Sequence, residues 1–222
     1  MKKFAKYLLL ISSLGLLTSC FLTSPGKKTT SNEPSTTSTS SNNTESTITT
    51  TIDESRSYTF HTSGSYLPFD DYGIHIGDEA SGYENRDSLK NAINTEVGKN
   101  LVSSLSASNC TILTDDGTKN QQHLHLTIGT GSDGGYIQFD LSMNILKVQI
   151  EVIPYYKQGY SLDTNSTVYI DNDEHKIASD SESSTQSSIL FDKTYSTPVN
   201  TFTLSNKLGK QRFFIESVKV YY

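Results

Sequence analysis

From residue 58 onward the chain alternates between apolar and polar positions. Tyr58 and Phe60 are interleaved with Thr59 and His61, and Tyr72, Ile74 and Ile76 share a parity opposite Gly73, His75 and Gly77. Leu124, Leu126 and Ile128 oppose His123, His125 and Thr127, while Ile137, Phe139 and Leu141 oppose Tyr136, Gln138 and Asp140. A period of two sends successive side chains to opposite faces of a strand. The clearest run covers residues 146–152, where Leu146, Val148, Ile150 and Val152 face away from Lys147, Gln149 and Glu151. Val168 with Ile170, Ile189 with Phe191, and Phe202 with Leu204 extend the series. The last run, residues 212–222, changes parity: Phe213 and Ile215 are odd, whereas Val218, Val220 and Tyr222 are even. One extra residue exchanges the two faces, so the pattern predicts a bulge near Glu216-Ser217.

Clusters of Gly, Asn, Asp and Ser separate the runs, and the glycine-rich residues 129–135 are expected to form a hairpin turn. Short strands with one apolar face predict a mainly β domain over residues 57–222, an antiparallel jelly-roll-like β-sandwich with one possible short helix. The helix candidate is residues 87–105. Leu89, Ile93, Val97, Leu101 and Leu105 recur every four positions, and Asp87 is placed to cap. Gly98 interrupts the stretch, so a short helix followed by a strand near Val102 is the competing reading.

Before residue 57 the alternation stops. Lys2, Lys3 and Lys6 precede an apolar run at residues 7–17. That run is shorter than the ~20 residues needed to cross a bilayer and has the length of a secretory h-region. It ends in Leu17-Thr18-Ser19-Cys20. These residues resemble the signal peptide and lipobox of bacterial lipoproteins. The resemblance implies a diacylglyceryl group on the Cys20 thiol, removal of residues 1–19, and acylation (palmitate or similar) of the new amine. It also implies an extracytoplasmic protein held at the cell membrane by lipid. Two or three chains anchor stably, whereas one is marginal at ~0.8 kcal/mol per buried methylene. Residues 20–56 are rich in Ser and Thr and read as a disordered linker, because they cannot bury enough apolar surface to offset their ordering entropy.

Charge narrows the partners. The chain carries a formal −6, and loss of Lys2, Lys3 and Lys6 with the signal takes it to −9. An acidic domain argues against nucleic acid, whose affinity rests on cations meeting phosphates. Membrane contact is therefore expected through the lipid on Cys20.

Candidate chemistry is sparse. His123 and His125 share one strand face, but zinc takes three or four ligands and no third is evident. Asp171, Asp173 and Glu174, in the run Asp171-Asn172-Asp173-Glu174, are the candidate ligands for a structural calcium, which accepts irregular oxygen-rich loops. Turn formation is the other reading of that run. No G-x-S-x-G and no Ser-His-Asp arrangement presents itself, so the domain reads as non-enzymatic. Cys110 lacks a partner once Cys20 is lipidated and reads as a small core residue. The chain has 13 Tyr, 9 Phe and no Trp. Tyr155, Tyr156 and Tyr160 follow the longest strand. They are the candidate ligand contacts, an apolar ring with a polar tip suiting sugar faces or an interface; closing one end of the sandwich is the alternative.

Over residues 101–222 several stretches resemble a β-sandwich module of surface lipoproteins from Gram-positive and wall-less bacteria. They are Gly134-Gly135-Tyr136-Ile137-Gln138-Phe139, the long strand at 145–153, Phe213-Phe214-Ile215 and Val218-Lys219-Val220-Tyr221. Such modules are similar to galactose-binding and carbohydrate-binding jelly rolls. The resemblance implies a non-catalytic binding module, with carbohydrate as one ligand. An adhesin or envelope protein engaging an extracellular protein is the alternative, and a small secreted hydrolase is a third reading.

Overall fold

The computed structural model describes residues 51–77, 80–115, 119–155, 166–177 and 187–222. The described strands, in chain order, begin with β1 (Ser57–His61) and β2 (Ile74–Ile76), then the helix α1 (Ala80–Val97). β3 (Val102–Ser108), β4 (Cys110–Thr114), β5 (Leu124–Ile128) and β6 (Asp133–Pro154) follow. β7 (Thr167–Ile170), β8 (Asp173–Lys176), β9 (Ile189–Leu208) and β10 (Phe213–Tyr221) complete the domain. The fold is mainly β and antiparallel, as the alternation requires.

Two strands are much longer than the sequence pattern suggests. β6 has 22 residues and β9 has 20. Each joins two apolar runs that read separately in the sequence. They pair along both halves, Tyr136 with Ser205 and Asp140 with Thr201 in one, Lys147 with Thr194 and Val152 with Ile189 in the other. Register slips between Asp140 and Lys147, so the inward parity of β6 changes there. Ile137, Phe139, Leu141 and Ile145 are buried at odd positions, and Val148, Ile150 and Val152 at even ones. Leu146, expected inside with Val148, is only half-buried.

The slip lets β6 and β9 serve two sheets. In the first, β2, β4, β5, β10, the second half of β6 and the first half of β9 lie side by side, with β1 also on β10. In the second, β3, the first half of β6, the second half of β9, β7 and β8 follow one another. The apolar faces meet: the Phe60 ring of the first sheet lies 5.5 Å from Phe139 of the second. Phe139 stacks on its cross-strand partner Phe202 at 5.0 Å. Burying the three aromatic rings is a large apolar gain in a sandwich core.

The bulge falls where parity places it, with a register shift between Ile215 and Ser217. There β10 changes neighbours, from β5 at Phe213, Phe214 and Ile215 to β1 from Ser217 onward. The glycine-rich 129–135 segment departs from the hairpin expectation. β5 pairs with β4 and β10, not with β6, so this turn carries the chain from one sheet to the other. Gly129 has φ +87°, and a Cβ there would collide with the buried Asn206 amide. That amide accepts the Gly135 N–H at 2.6 Å.

Of the two readings of residues 87–105, the structure takes the helix followed by a strand, with β3 beginning at Val102. The helix spans Ala80–Val97, and Asp87 sits within it, 3.4 Å from Lys90, rather than at its cap. Gly98, at φ +72°, ends it. The Gly98 and Lys99 N–H groups donate to Thr95 O and Asn94 O, each at 3.1 Å, a Schellman closure that needs the left-handed glycine. Leu101 is buried just beyond the helix and Leu105 within β3, which is why the four-residue spacing imitates a longer helix. Leu89 and Ile93 bury the inner side of α1. At its end the helix holds both sheets. Asn94 bonds the Val102 main chain of β3, and Glu96 Oε2 accepts the His61 N–H of β1 at 2.9 Å.

A candidate binding face on the second sheet

The outer face of the second sheet is a grid of small polar side chains. In register, Ser104, Asp140 and Thr201 form one row. Ser106, Gln138 and Thr203 form the next, and Ser108, Tyr136 and Ser205 the third. Cross-paired residues point the same way, and all nine are exposed or half-buried. The intervening positions, Leu105, Ala107, Ile137, Phe139, Phe202 and Leu204, are at most 4% exposed. The same alternation that builds the core thus builds the grid.

Asp140 organises it. Its Oδ2 accepts the Ser104 hydroxyl at 2.5 Å, and its Oδ1 accepts Gln138 Nε2 and the Thr201 hydroxyl, each at 3.0 Å. The Ser104 hydrogen bond, helped by Gln138 and Thr201 and opposed by slight burial, holds the carboxyl below its ordinary range. Having donated inward, the Ser104 and Thr201 hydroxyls present lone pairs outward. Asp140 itself has about four acceptor positions, three of them filled. Tyr136 stands four residues away on the same face, ~13 Å along the strand. Its cross-strand neighbours are the small Ser108 and Ser205, and Tyr136 itself is half-buried. Beyond Ser205, Tyr169 donates its hydroxyl to Glu174 Oε2 at 3.0 Å and lies 3.9 Å beneath the Lys207 ammonium. An ordered array of acceptors and donors around a carboxylate, with one half-buried ring in the third row, is suited to a flat, hydroxylated ligand.

The residues nominated from the sequence lie elsewhere. Tyr155, at the end of β6, is 6% exposed; its ring meets Phe214 at 5.2 Å and the Arg212 guanidinium at 3.7 Å. That is a packing position. Tyr156 and Tyr160 lie outside the described residues. Asp171 turns the chain between β7 and β8 at φ +55°. Its Oδ1 accepts the Thr203 N–H at 2.8 Å and its Oδ2 the Tyr195 hydroxyl at 2.9 Å. Lys193 Nζ lies 3.2 Å from Asp171 and 3.4 Å from Asp173, so an ammonium occupies the position between those carboxylates. Glu174 is turned away, to Tyr169 and Lys176. Among the described residues no three His, Cys, Asp or Glu side chains converge as a metal site. Cys110 is buried, its thiol 3.0 Å from Tyr136 O.

The two histidines part company: the His123 side chain stays 41% exposed, as its parity suggests, whereas His125 is buried. Ser63, in the loop after β1, bridges the His125 main chain, and the Phe214 ring lies 5.0 Å from the imidazole. His123 Nδ1 lies 2.9 Å from Asp115 Oδ1. His125, 5% exposed, has Nδ1 2.6 Å from Glu216 Oε1 and Nε2 3.5 Å from Asp115 Oδ2. Burial alone would lower its pKa, but Asp115 and Glu216 together raise it to about 9. Burial works against ionisation of both carboxyls too, yet His125, joined by His123 at Asp115 and by the Ser63 hydroxyl at Glu216, holds each below its usual range. This is a buried cluster of one imidazole and two carboxyls at the β10 bulge, close enough for ion pairing but not aligned as hydrogen bonds, which favours the charged form of His125. A group held protonated in this way is a poor general base.

Sequence reasoning isolated one strand of the grid, Tyr136, Gln138 and Asp140, as the polar side of an alternating run. The neighbours that make it a face, Ser104, Ser106, Thr201 and Thr203, lie 32 to 65 positions from their cross-strand partners in the chain. Only the register brings them together.

No protein-family model and no curated protein matches the sequence. Among solved structures, the chain is similar to a family 29 carbohydrate-binding module at 9% identity, over 53% of this chain and 79% of that one, with a TM-score of 0.32. It is also similar to the catalytic domain of a family GH87 α-1,3-glucanase at 8% identity, over 44% and 22%, with a TM-score of 0.28. A family GH115 4-O-methyl-α-glucuronidase with specificity for decorated arabinogalactans matches at 12% identity, over 65% and 25%, with a TM-score of 0.31. The chain spans about a quarter or less of those two enzyme chains. Similarities of this size leave the functional reading to the geometry of the face.

Proposed function

We propose that this protein is a surface lipoprotein whose sandwich is a non-catalytic carbohydrate-binding module, presented outside the cell membrane on a Ser/Thr-rich tether. The observation that carries the binding reading is the Asp140 grid. Nine aligned positions hold a carboxylate, an amide, a tyrosine and six hydroxyl side chains at strand spacing. Sugar hydroxyls bind such groups by paired donation and acceptance, and a ring face adds apolar contact without a deep pocket. The anchoring reading rests on Lys2, Lys3, Lys6, the apolar run and Cys20. The tether reading rests on the composition of residues 20–56.

The test is a glycan array probed with the full chain in mild detergent. Binding to a defined glycan that is lost in Asp140→Ala and Tyr136→Ala, with unchanged thermal melting, supports the assignment. Binding unaffected by both variants moves the site elsewhere, and no binding across the array returns the weight to a protein partner. Cys20→Ser tests the anchor separately, the expected outcome being loss of the protein from the membrane fraction.

A further inference from the structure

The grid is charged in one sense only. Its three rows contain Asp140 and no Lys, Arg or His. The nearest cation along β9, Lys207, lies beyond the third row and over the Tyr169 ring. Asp140 is also fixed. Three donors from three strands, Ser104, Gln138 and Thr201, orient its two oxygens. It cannot swing away from an incoming anion without breaking all three hydrogen bonds, and its remaining acceptor position suits a hydroxyl donor.

Resting on the carbohydrate reading above, we infer that the face selects neutral glycans and that Asp140 excludes acidic ones, such as uronic-acid or phosphate-bearing polymers. At Asp140 a carboxylate on the ligand would meet a like charge with no compensating cation in the three rows, a repulsive element of the kind that makes interfaces specific. Neutral rings instead donate a hydroxyl to Asp140 and lay an apolar face on Tyr136.

The experiment compares ligands that differ only in charge. Immobilised neutral hexose oligomers and their 6-carboxylate counterparts, galactan oligomers against oligogalacturonate for example, are presented to the full chain in detergent at low and high salt. Wild type is expected to bind a neutral oligomer with little salt dependence and its acidic counterpart at least about tenfold more weakly. Asp140→Asn keeps the shape and the acceptor oxygen, and is expected to bring the two affinities within about threefold, chiefly by gaining the acidic ligand. Equal wild-type affinity for both ligands overturns the inference, as does an Asp140→Asn variant that leaves the ratio unchanged. Absence of binding to any oligomer, neutral or acidic, overturns the carbohydrate reading itself and this inference with it. A matching melting temperature for Asp140→Asn shows that the readout is recognition rather than folding.

Discussion

Asn94 of the helix holds both main-chain polar groups of Val102, its Oδ1 accepting the N–H at 2.8 Å and its Nδ2 donating to the C=O at 2.9 Å. One amide thus imitates a neighbouring strand at the start of β3, whose ladder runs on β6. An uncovered strand edge invites pairing with another chain, and this contact closes it at the point where the helix leaves the sheet. Val102 is 0% exposed, so water cannot replace the lost partners. Asn94→Ala is expected to cost about 2 kcal/mol in urea unfolding, with the slope unchanged. Asn94→Asp keeps the acceptor alone and should fall between the two. Wild-type stability in the alanine variant would show that the amide is incidental.

The Asp115–His125–Glu216 triad makes stability depend on pH from both sides. The folded pKa of His125, about 9, exceeds its unfolded value of about 6.5. Its contribution is therefore complete below pH ~6.5 and is lost as pH rises through ~9. The carboxyls are shifted the other way. Their contribution is present above the usual carboxylate range and is lost as pH falls through their lowered folded values. Unfolding measured from pH 4 to 10 should show a plateau near pH 5–6.5 and then a decline of the order of 3 kcal/mol by pH 10. His125→Gln should remove the alkaline decline and, by leaving two buried acids without their cation, lower the plateau. A flat profile between pH 6.5 and 10 in wild type would show that the imidazole is not charged in the fold.

Much of this architecture is visible in one dimension. The parity change in residues 213–220 locates the bulge, because only an inserted residue reconciles Ile215 with Val218 on one face. Leu124 and Ile128 are inside for the same reason. His125 and Thr127 are not legible as buried, because β5 is covered on both faces by tertiary packing that no local pattern announces. The 87–105 stretch leaves two readings open, since Leu101 and Leu105 sit at a spacing that also suits a helix, and Gly98 decides for a helix followed by a strand. The Asp140 grid is legible strand by strand but not as a surface, because pairing over long separations is set by tertiary register.

Lys193 bears on whether the β7–β8 turn takes an ion. It is 16% exposed at its side chain and bonds Ile170 O at 3.3 Å while facing Asp171 and Asp173. Its ammonium supplies the positive charge these carboxylates need. Replacing it with Met leaves two acids close together with an oxygen-rich surround, the condition under which calcium binds. Millimolar calcium is expected to raise the melting temperature of Lys193→Met by several degrees and that of wild type by little. A calcium-dependent rise of equal size in wild type would show that the ion displaces the lysine and that the turn is a calcium site as it stands.

Tyr136 gives the sharpest separation between binding and folding. Its ring lies on the outer face of β6 while its neighbours Ile137 and Gly135 point or pack inward. Its hydroxyl is not needed to hold the strand, since the β6 ladder runs through main-chain bonds to β3 and β9. Tyr136→Ala should leave the melting temperature within a degree or two, as surface substitutions do. It should weaken binding of any glycan found for this face at least tenfold, about 1.4 kcal/mol, because it removes the one large apolar surface among hydroxyls. Tyr136→Phe retains that surface and should lose less. The converse variant, Ser205→Leu, adds bulk beside the ring in the same row. If the ring face is the platform, crowding it should weaken binding although nothing polar in the Asp140 cluster has changed. Tight binding in both Tyr136→Ala and Ser205→Leu would place the ligand nearer Asp140 and Ser104, with hydrogen bonding rather than stacking setting the affinity.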